Sequence, residues 1–543
     1  MEIKTKYEWP RVLLCGALLS VAALHKLVFA EFSAMPGGCD SRHLSYLMEH
    51  FWGWISGDPL HASFWDIPFF SPIPNVAAYS ELMFSFAPLY WLWRALGLTP
   101  EAACVGWVYG VGMLNYLAAY YFLRKCLCAS FAASVAGAFI MVYAQSHLRH
   151  FDHIQLYPFY YIVGALIAVF SYFGSLQRQE GANSHLKRRL WLALFVFCVV
   201  AQFHGCFYLA YFFCLGLGLA LVFSLPLPGA WDAIRLSLRR DWLYLACGGL
   251  FGALALLPLA QHYLATMKLS GPRGLESVLL FLPRPYSWAF NRFAYLSGWM
   301  ENVYPWSTLP GGTLNWEHSF GLGIATTLAT LAVFIVKRRK TAYLLTALSG
   351  LGLMALTTVF FGKYTLWAYV WKYVPGASAM FAVARVGILM SIPAGMAMAA
   401  LVDGASSTRL RAVAMALTLL CMSEQIVPVF VFDVNEKRRD VAEIASRVKP
   451  GAKAFVVTMN PMSGRVPKYN WVTYHINAMW ASNLAGVPTV NGYSSNFPQI
   501  WRNGVEDIVT TTPDKRERFI HALRSWCAAW NLDTSEVQWI ELK

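Results

Sequence analysis

Long apolar runs separated by short polar breaks set the rhythm of this chain. Eleven stretches, near 12–30, 101–123, 129–147, 156–176, 190–205, 207–225, 242–263, 318–336, 341–361, 386–403 and 410–432, are apolar enough to cross a bilayer. Phe203-His204-Gly205 inside the 190–225 block fits either a tight outer turn or a kink. The segment MFSFAPLYWLWRALGL, 83–98, is apolar but short, and it carries Pro88 and Arg94. Charge decides its place. If it lies in the interface, Arg124-Lys125, Lys187-Arg188-Arg189, Arg235 with Arg239-Arg240, Lys337-Arg338-Arg339-Lys340 and Arg409 with Arg411 share the side of Lys4, Lys6 and Arg11. Positive loops stay inside. The pattern therefore predicts an interfacial segment, an uncleaved first helix with its N-terminus inside, eleven crossings and an outside C-terminus.

On this reading the outer face receives a first loop of about 31–100, a loop of about 264–317 and everything beyond about 433. The hydrophobic period changes there. EKRRDVAEIASRVKPGAKAFVVTMN reads as an amphipathic helix, a Pro-Gly turn and a strand; FIHALRSWCAAWNL reads as a helix and EVQWIELK as a strand. The expected organisation is an α-helical polytopic membrane domain over 1–432 followed by a small periplasmic α/β domain over 433–543.

Composition narrows the class. Of 543 residues 57% are hydrophobic and 13% charged, against about a quarter charged in soluble chains. The net charge of +14 sits in short blocks at membrane boundaries, which argues against a nucleic-acid partner. The eleven cysteines lack metal-ligand spacing and act as small hydrophobes. Cys39 and Cys527 fall outside the predicted spans, where a disulfide is one option.

Ionisable residues crowd the outer boundary. GGCDSRHLSYLMEHFWGW, 37–54, places Asp40, Arg42, His43, Glu49 and His50 where the first span ends. A helix is expected from there, with Asp40 either capping it or serving function, since charge near lipid is costly. QSHLRHFDHIQLYP, 145–158, adds His147, Arg149, His150, Asp152 and His153. These polar groups can cap helix ends, bind a divalent cation such as magnesium or manganese through Asp40 and Asp152, or leave one carboxylate as a base. Arg273, Arg284 and Arg292 in the third outer loop, and Arg385 in PGASAMFAVARV, suit either snorkelling to lipid phosphate or forked binding of a substrate phosphate.

This layout resembles the GT-C superfamily of membrane glycosyltransferases, which use polyprenyl-phosphate-linked sugars. GGCDSR offers Asp40 where those proteins carry an acid after the first span, and RHFDHIQL offers Asp152 and His153 in the next outer loop. WDIPFFSPIPNVAAYSE, VPGASAMFAVARVG and NGYSSNFPQIW resemble stretches of uncharacterised bacterial members. Some members pair the first acid as Asp-Asp or Asp-x-Asp; here it stands alone. The resemblance implies sugar transfer, with inversion, from a polyprenyl-phosphate donor to a glycan, lipid or protein acceptor on the outer face of a bacterial inner membrane. Asp40 would be the base or a metal ligand, and Asp152 and His153 would orient the acceptor or cation. Arg385 with Arg273, Arg284 or Arg292 would hold the phosphate, and Tyr493 and Trp501 would touch the acceptor or form a structural turn. A flippase for a lipid-linked precursor and a non-catalytic scaffold are the rival readings. Spans almost free of acids, Glu424 excepted, speak against a transporter.

Overall fold

A computed structural model describes residues 8–28, 30, 33–176, 184–271, 274–291, 295–296, 316–361, 363–459, 470–510 and 512–542. A helix stands at each predicted span. These are α1 (Glu8–Ala23), α4 (Pro100–Tyr121), α5 (Phe131–Tyr143), α6 (Tyr160–Leu176), α7 (Ser184–Gly205), α8 (Phe207–Ser224), α9 (Ala230–Ser270), α10 (Ile324–Lys337), α11 (Thr341–Thr357), α12 (Ser391–Asp403) and α13 (Thr408–Glu424). Among the described residues six stretches, 100–126, 131–148, 154–176, 207–224, 230–270 and 383–403, are long and apolar enough to cross a membrane. Starts follow local chemistry. Thr99 caps α4 with Pro100 at its first position, and Ser130 caps α5 by accepting from Ala133 N.

The ambiguous block resolves into two helices, because Cys206 is extended (φ −144°, ψ 106°) between α7 and α8. Segment 83–98 contains α3 (Ala87–Ala95), nine residues long and about 14 Å at 1.5 Å per residue, too short to cross. Glu8 and Arg124 lie 2.8 Å apart, so the start of α1 and the end of α4 share one face. With α1 and α4 both taken as crossings, that arrangement leaves no crossing for α3. Arg188 and Asp241 join α7 and α9 at 3.0 Å with both side chains fully buried.

The opposite face is sewn together by two remote segments. Strand β1 (Ala34–Pro36) pairs antiparallel with β2 (Val431–Asp433), Met35 opposite Phe432. This ties the chain leaving α1 to the chain leaving α13, just before α2 (Cys39–Ser56) begins. Beyond lie α14 (Val434–Arg447), β3 (Ala454–Met459), α15 (Trp471–Ala485), α16 (Pro513–Ala529) and β4 (Val537–Leu542). Strands β3 and β4 run parallel, Ala454 opposite Val537, and every residue of β3 is buried. The helix–turn–strand and helix–strand pattern expected there is present. All eleven cysteines are free, so the Cys39–Cys527 disulfide is not formed.

Candidate active site

Gly37 sets the geometry. It has φ +75°, and a Cβ there would stand 2.5 Å from the Phe151 carbonyl oxygen and 2.7 Å from Asp152 Cα, so only glycine lets the two outer loops touch. Its N–H donates to the Phe430 carbonyl at 2.6 Å. Helix α2 then starts at Cys39, and its end is capped from the other loop. Asp152 Oδ1 accepts from Gly38 N at 2.6 Å and from Ser41 N at 3.4 Å, an anion on a helix N-terminus. The capping role considered for Asp40 thus belongs to Asp152. Burial and the charge of Asp40 push the Asp152 carboxyl above its ordinary range.

Asp40 is thereby free to face its own partners. His153 Nε2 lies 2.9 Å from Asp40 Oδ2, and the Tyr493 hydroxyl donates to Oδ1 at 2.5 Å. Burial would raise this carboxyl, but the His153 charge and hydrogen bond, the Tyr493 hydrogen bond and the Arg385 charge outweigh it and hold it at about 2. For His153, burial and Arg385 favour the neutral ring, yet Asp40 and Glu317 win and raise it. The Asp40 side chain remains 26% exposed and His153 22%, so a hydroxyl can reach the pair.

Glu317 completes the group. Arg385 donates to it twice, Nη2 to Oε1 at 3.0 Å and Nε to Oε2 at 3.4 Å. His150 Nε2 stands 3.4 Å from Oε2 and His153 Nε2 3.9 Å from Oε1. Burial of Glu317 is overcome by Arg385 and the two histidines, which hold the carboxyl well below its ordinary range. The Arg385 guanidinium lies 4.9 Å over the Tyr208 ring. The Tyr208 hydroxyl in turn accepts from Phe381 N and Ala382 N at 3.0 and 3.3 Å, fixing the turn that carries Arg385. Tyr208 itself is set by Glu81, whose carboxylate accepts from Phe207 N and Tyr208 N at the start of α8.

Other expected site residues lie apart. Glu49 pairs with Arg94 at 2.8 Å and accepts from Tyr90, which pins α3 to α2. His50 Nδ1 meets His61 Nδ1 at 2.8 Å. Arg42 donates to Asn477 at 2.8 Å. The Arg284 guanidinium donates to the carbonyls of Leu279 and Leu282, and Arg273 and Arg292 lie outside the described residues. Glu424 caps α10 through Ala325 N and Thr326 N. Trp501 is buried, its indole N–H on the Val490 carbonyl. The sequence reading missed Glu317, Tyr208 and Glu81. Glu317 stands just before an apolar run, the same signal that marked Asp40.

A cation does not fit the donors as they stand. Among the described residues no three His, Cys, Asp or Glu side chains are arranged to hold a metal ion. Asp40 already faces His153 and Tyr493, Asp152 faces backbone N–H groups, and Glu317 faces Arg385. An apolar cavity of about 200 Å³ lies between α6, α8, α11 and the 383–403 stretch, with Phe212, Gly216, Ser349, Leu389 and Met396 in its wall. Its wall begins at Phe212 and Leu389, each four positions from Tyr208 and Arg385, and runs on to Phe122, Ala220 and Ala342.

The pair makes a pH prediction. Asp40 is depressed, so its stabilisation is complete above the ordinary carboxylate value and lost as pH falls through about 2. His153 is raised, so its share is complete below about 6.5 and lost as pH rises through its higher folded value. Thermal midpoints of the detergent-purified protein should fall on the alkaline side of neutrality, and His153→Gln should flatten that limb. An unchanged limb in the variant would refute the pairing.

No protein-family description and no curated protein matches the sequence. Solved structures do. The oligosaccharyltransferase AglB of Archaeoglobus fulgidus, in complex with an inhibitory peptide and a dolichol-phosphate, superposes with a TM-score of 0.54 at 12% identity, over 96% of this chain and 69% of that one. The Archaeoglobus fulgidus oligosaccharyltransferase tethered to an acceptor peptide containing the NVT sequon gives 0.52 at 12% identity, over 97% and 69%. At such identities the likeness speaks for architecture. This chain has the fold of these oligosaccharyltransferases.

Proposed function

We propose that the protein transfers a sugar from a polyprenyl-phosphate donor to an acceptor hydroxyl on the outer face of a bacterial inner membrane. The observation that carries this reading is the meeting of Asp40, His153, Glu317 and Arg385, from three outer segments and a helix mouth, in one group beside an apolar cavity. On this reading eleven spans place residues 1–432 in the membrane and 433–543 in the periplasm.

In the reaction the bond from the sugar carbon to phosphate oxygen breaks, and the electron pair leaves with polyprenyl phosphate. The acceptor oxygen bonds the same carbon from the opposite side, which inverts it, and its proton passes to Asp40. A carboxylate held near 2 is a weak base. Much of its contribution is therefore to orient the nucleophile and to oppose positive charge developing on the sugar. Arg385 meets the charge growing on the phosphate, while Glu317 fixes its fork. The cavity walled by Phe212 and Leu389 takes the first isoprene units, as an apolar chain requires.

The test is transfer of labelled sugar from a polyprenyl-phosphate carrier into envelope material, using membranes with and without the protein. Equal transfer in both would end the proposal. Within it, Tyr208→Phe keeps the ring under Arg385 but drops both backbone ties. It should raise the donor concentration for half-maximal transfer about threefold to tenfold, the worth of one to two ordinary hydrogen bonds, with turnover at saturation nearly unchanged. Wild-type donor dependence in that variant would show that the ties do not position Arg385.

A further inference from the structure

The phosphate side of the site is charged, whereas its other side is built of rings. Around Tyr493 stand His43 at 5.8 Å and 89°, Phe497 at 5.9 Å and 67°, and Trp471 at 6.4 Å and 66° between ring centroids and planes. Trp471 also meets Phe497 at 6.4 Å and His475 at 5.7 Å. Phe497 is stacked on Trp501 at 5.6 Å and 12°. His43, His475 and Trp501 are buried, while Trp471, Tyr493 and Phe497 are each partly exposed. Three partly open rings therefore rest on three closed ones, and the Tyr493 hydroxyl joins them to Asp40.

Solvation alone does not favour such a surface. Aromatic rings left open beside a polar centre are what a ligand with one apolar and one polar aspect needs. An extended peptide is instead gripped along a free strand edge or in a helix groove. A phosphate-bearing headgroup would call for forked cations; Arg385 is engaged on the donor side, and Arg502, whose guanidinium lies 5.7 Å from the Phe497 ring centroid, faces Glu506 at 3.8 Å. A pyranose ring matches both aspects. Its axial C–H groups carry partial positive charge and settle on the negative face of an aromatic ring, while its rim of hydroxyls is left to point at a carboxylate.

We infer that Trp471, with Tyr493 and Phe497, forms an acceptor subsite that receives a sugar ring, so that the acceptor is a glycan presenting one hydroxyl to Asp40. This rests on the transfer reaction proposed above. The full-length protein in membranes is the material, and the envelope fraction of a strain lacking the protein is the titrated acceptor. Trp471→Leu keeps apolar bulk without a ring face, and Trp471→Phe keeps a face. The expected result is label in the carbohydrate fraction. In Trp471→Leu the acceptor needed for half-maximal transfer should rise about threefold to tenfold, and in Trp471→Phe by less than about threefold. Binding of undecaprenyl phosphate should match wild type in both, which also shows that they fold.

Label recovered in protein, equal acceptor dependence in Trp471→Leu and wild type, or a parallel loss of undecaprenyl phosphate binding would each overturn the subsite. Absence of any transfer by the wild-type protein would instead remove the reaction itself, and the subsite with it.

Discussion

Asp40→Asn is expected to lower the turnover of sugar transfer by about a hundredfold to ten-thousandfold, the range for losing a positioned acid–base group. Asparagine keeps the volume and can still accept from Tyr493. It loses the negative charge, the pair with His153 and the capacity to take a proton. The fold should survive, because α2 is capped by Asp152 and not by Asp40. Single-turnover transfer of label from the carrier in membranes measures the effect, with protein level and thermal midpoint as controls. A variant whose turnover stays within about threefold of wild type would take Asp40 out of the mechanism.

Arg385→Lys should be nearly as damaging, with turnover lower by about a hundredfold to a thousandfold, as when one oriented donor at a developing anion is lost. Lysine restores the charge but not the fork that now meets both oxygens of Glu317. Arg385→Ala should also destabilise the protein by about 3–5 kcal/mol, because it strips a buried carboxylate of its main partner. The two variants separate chemistry from folding. If lysine supports wild-type turnover, a point charge suffices and the fork has no part in the reaction.

What could be read from the chain follows from which forces act locally. Crossing a bilayer requires about twenty apolar residues in succession, and the helices stand at all the stretches so identified. Asp40 and His153 were legible because charge beside lipid is expensive. That signal is broader than the group around Asp40. Glu49, His50 and Arg42 share the same helix, yet their partners are Arg94, His61 and Asn477, so much of the ionisable density fastens α2 to its neighbours. The exchange of roles between Asp40 and Asp152 was not legible, since the capped N–H of Gly38 lies 114 positions from the cap. Glu317 carried the same boundary signal as Asp40, but the arginines earlier in its loop drew the reading toward phosphate. Tyr208 looks like one more aromatic in an apolar helix until the turn it holds is seen.

The pairing of residues 34–36 with 431–433 has a consequence for biosynthesis. A growing polypeptide contains Asp40 and then His153 early, but the strand that anchors the first loop arrives only after α13, and the Tyr493 hydroxyl later still. Until the chain has grown past Tyr493, the carboxylate lacks its second hydrogen bond, and until it has grown past 433 its loop lacks an edge to lie against. On the proposed reaction, catalytic competence should therefore switch on only once Tyr493 has been added, which would keep shorter products from drawing on the pool of activated sugar.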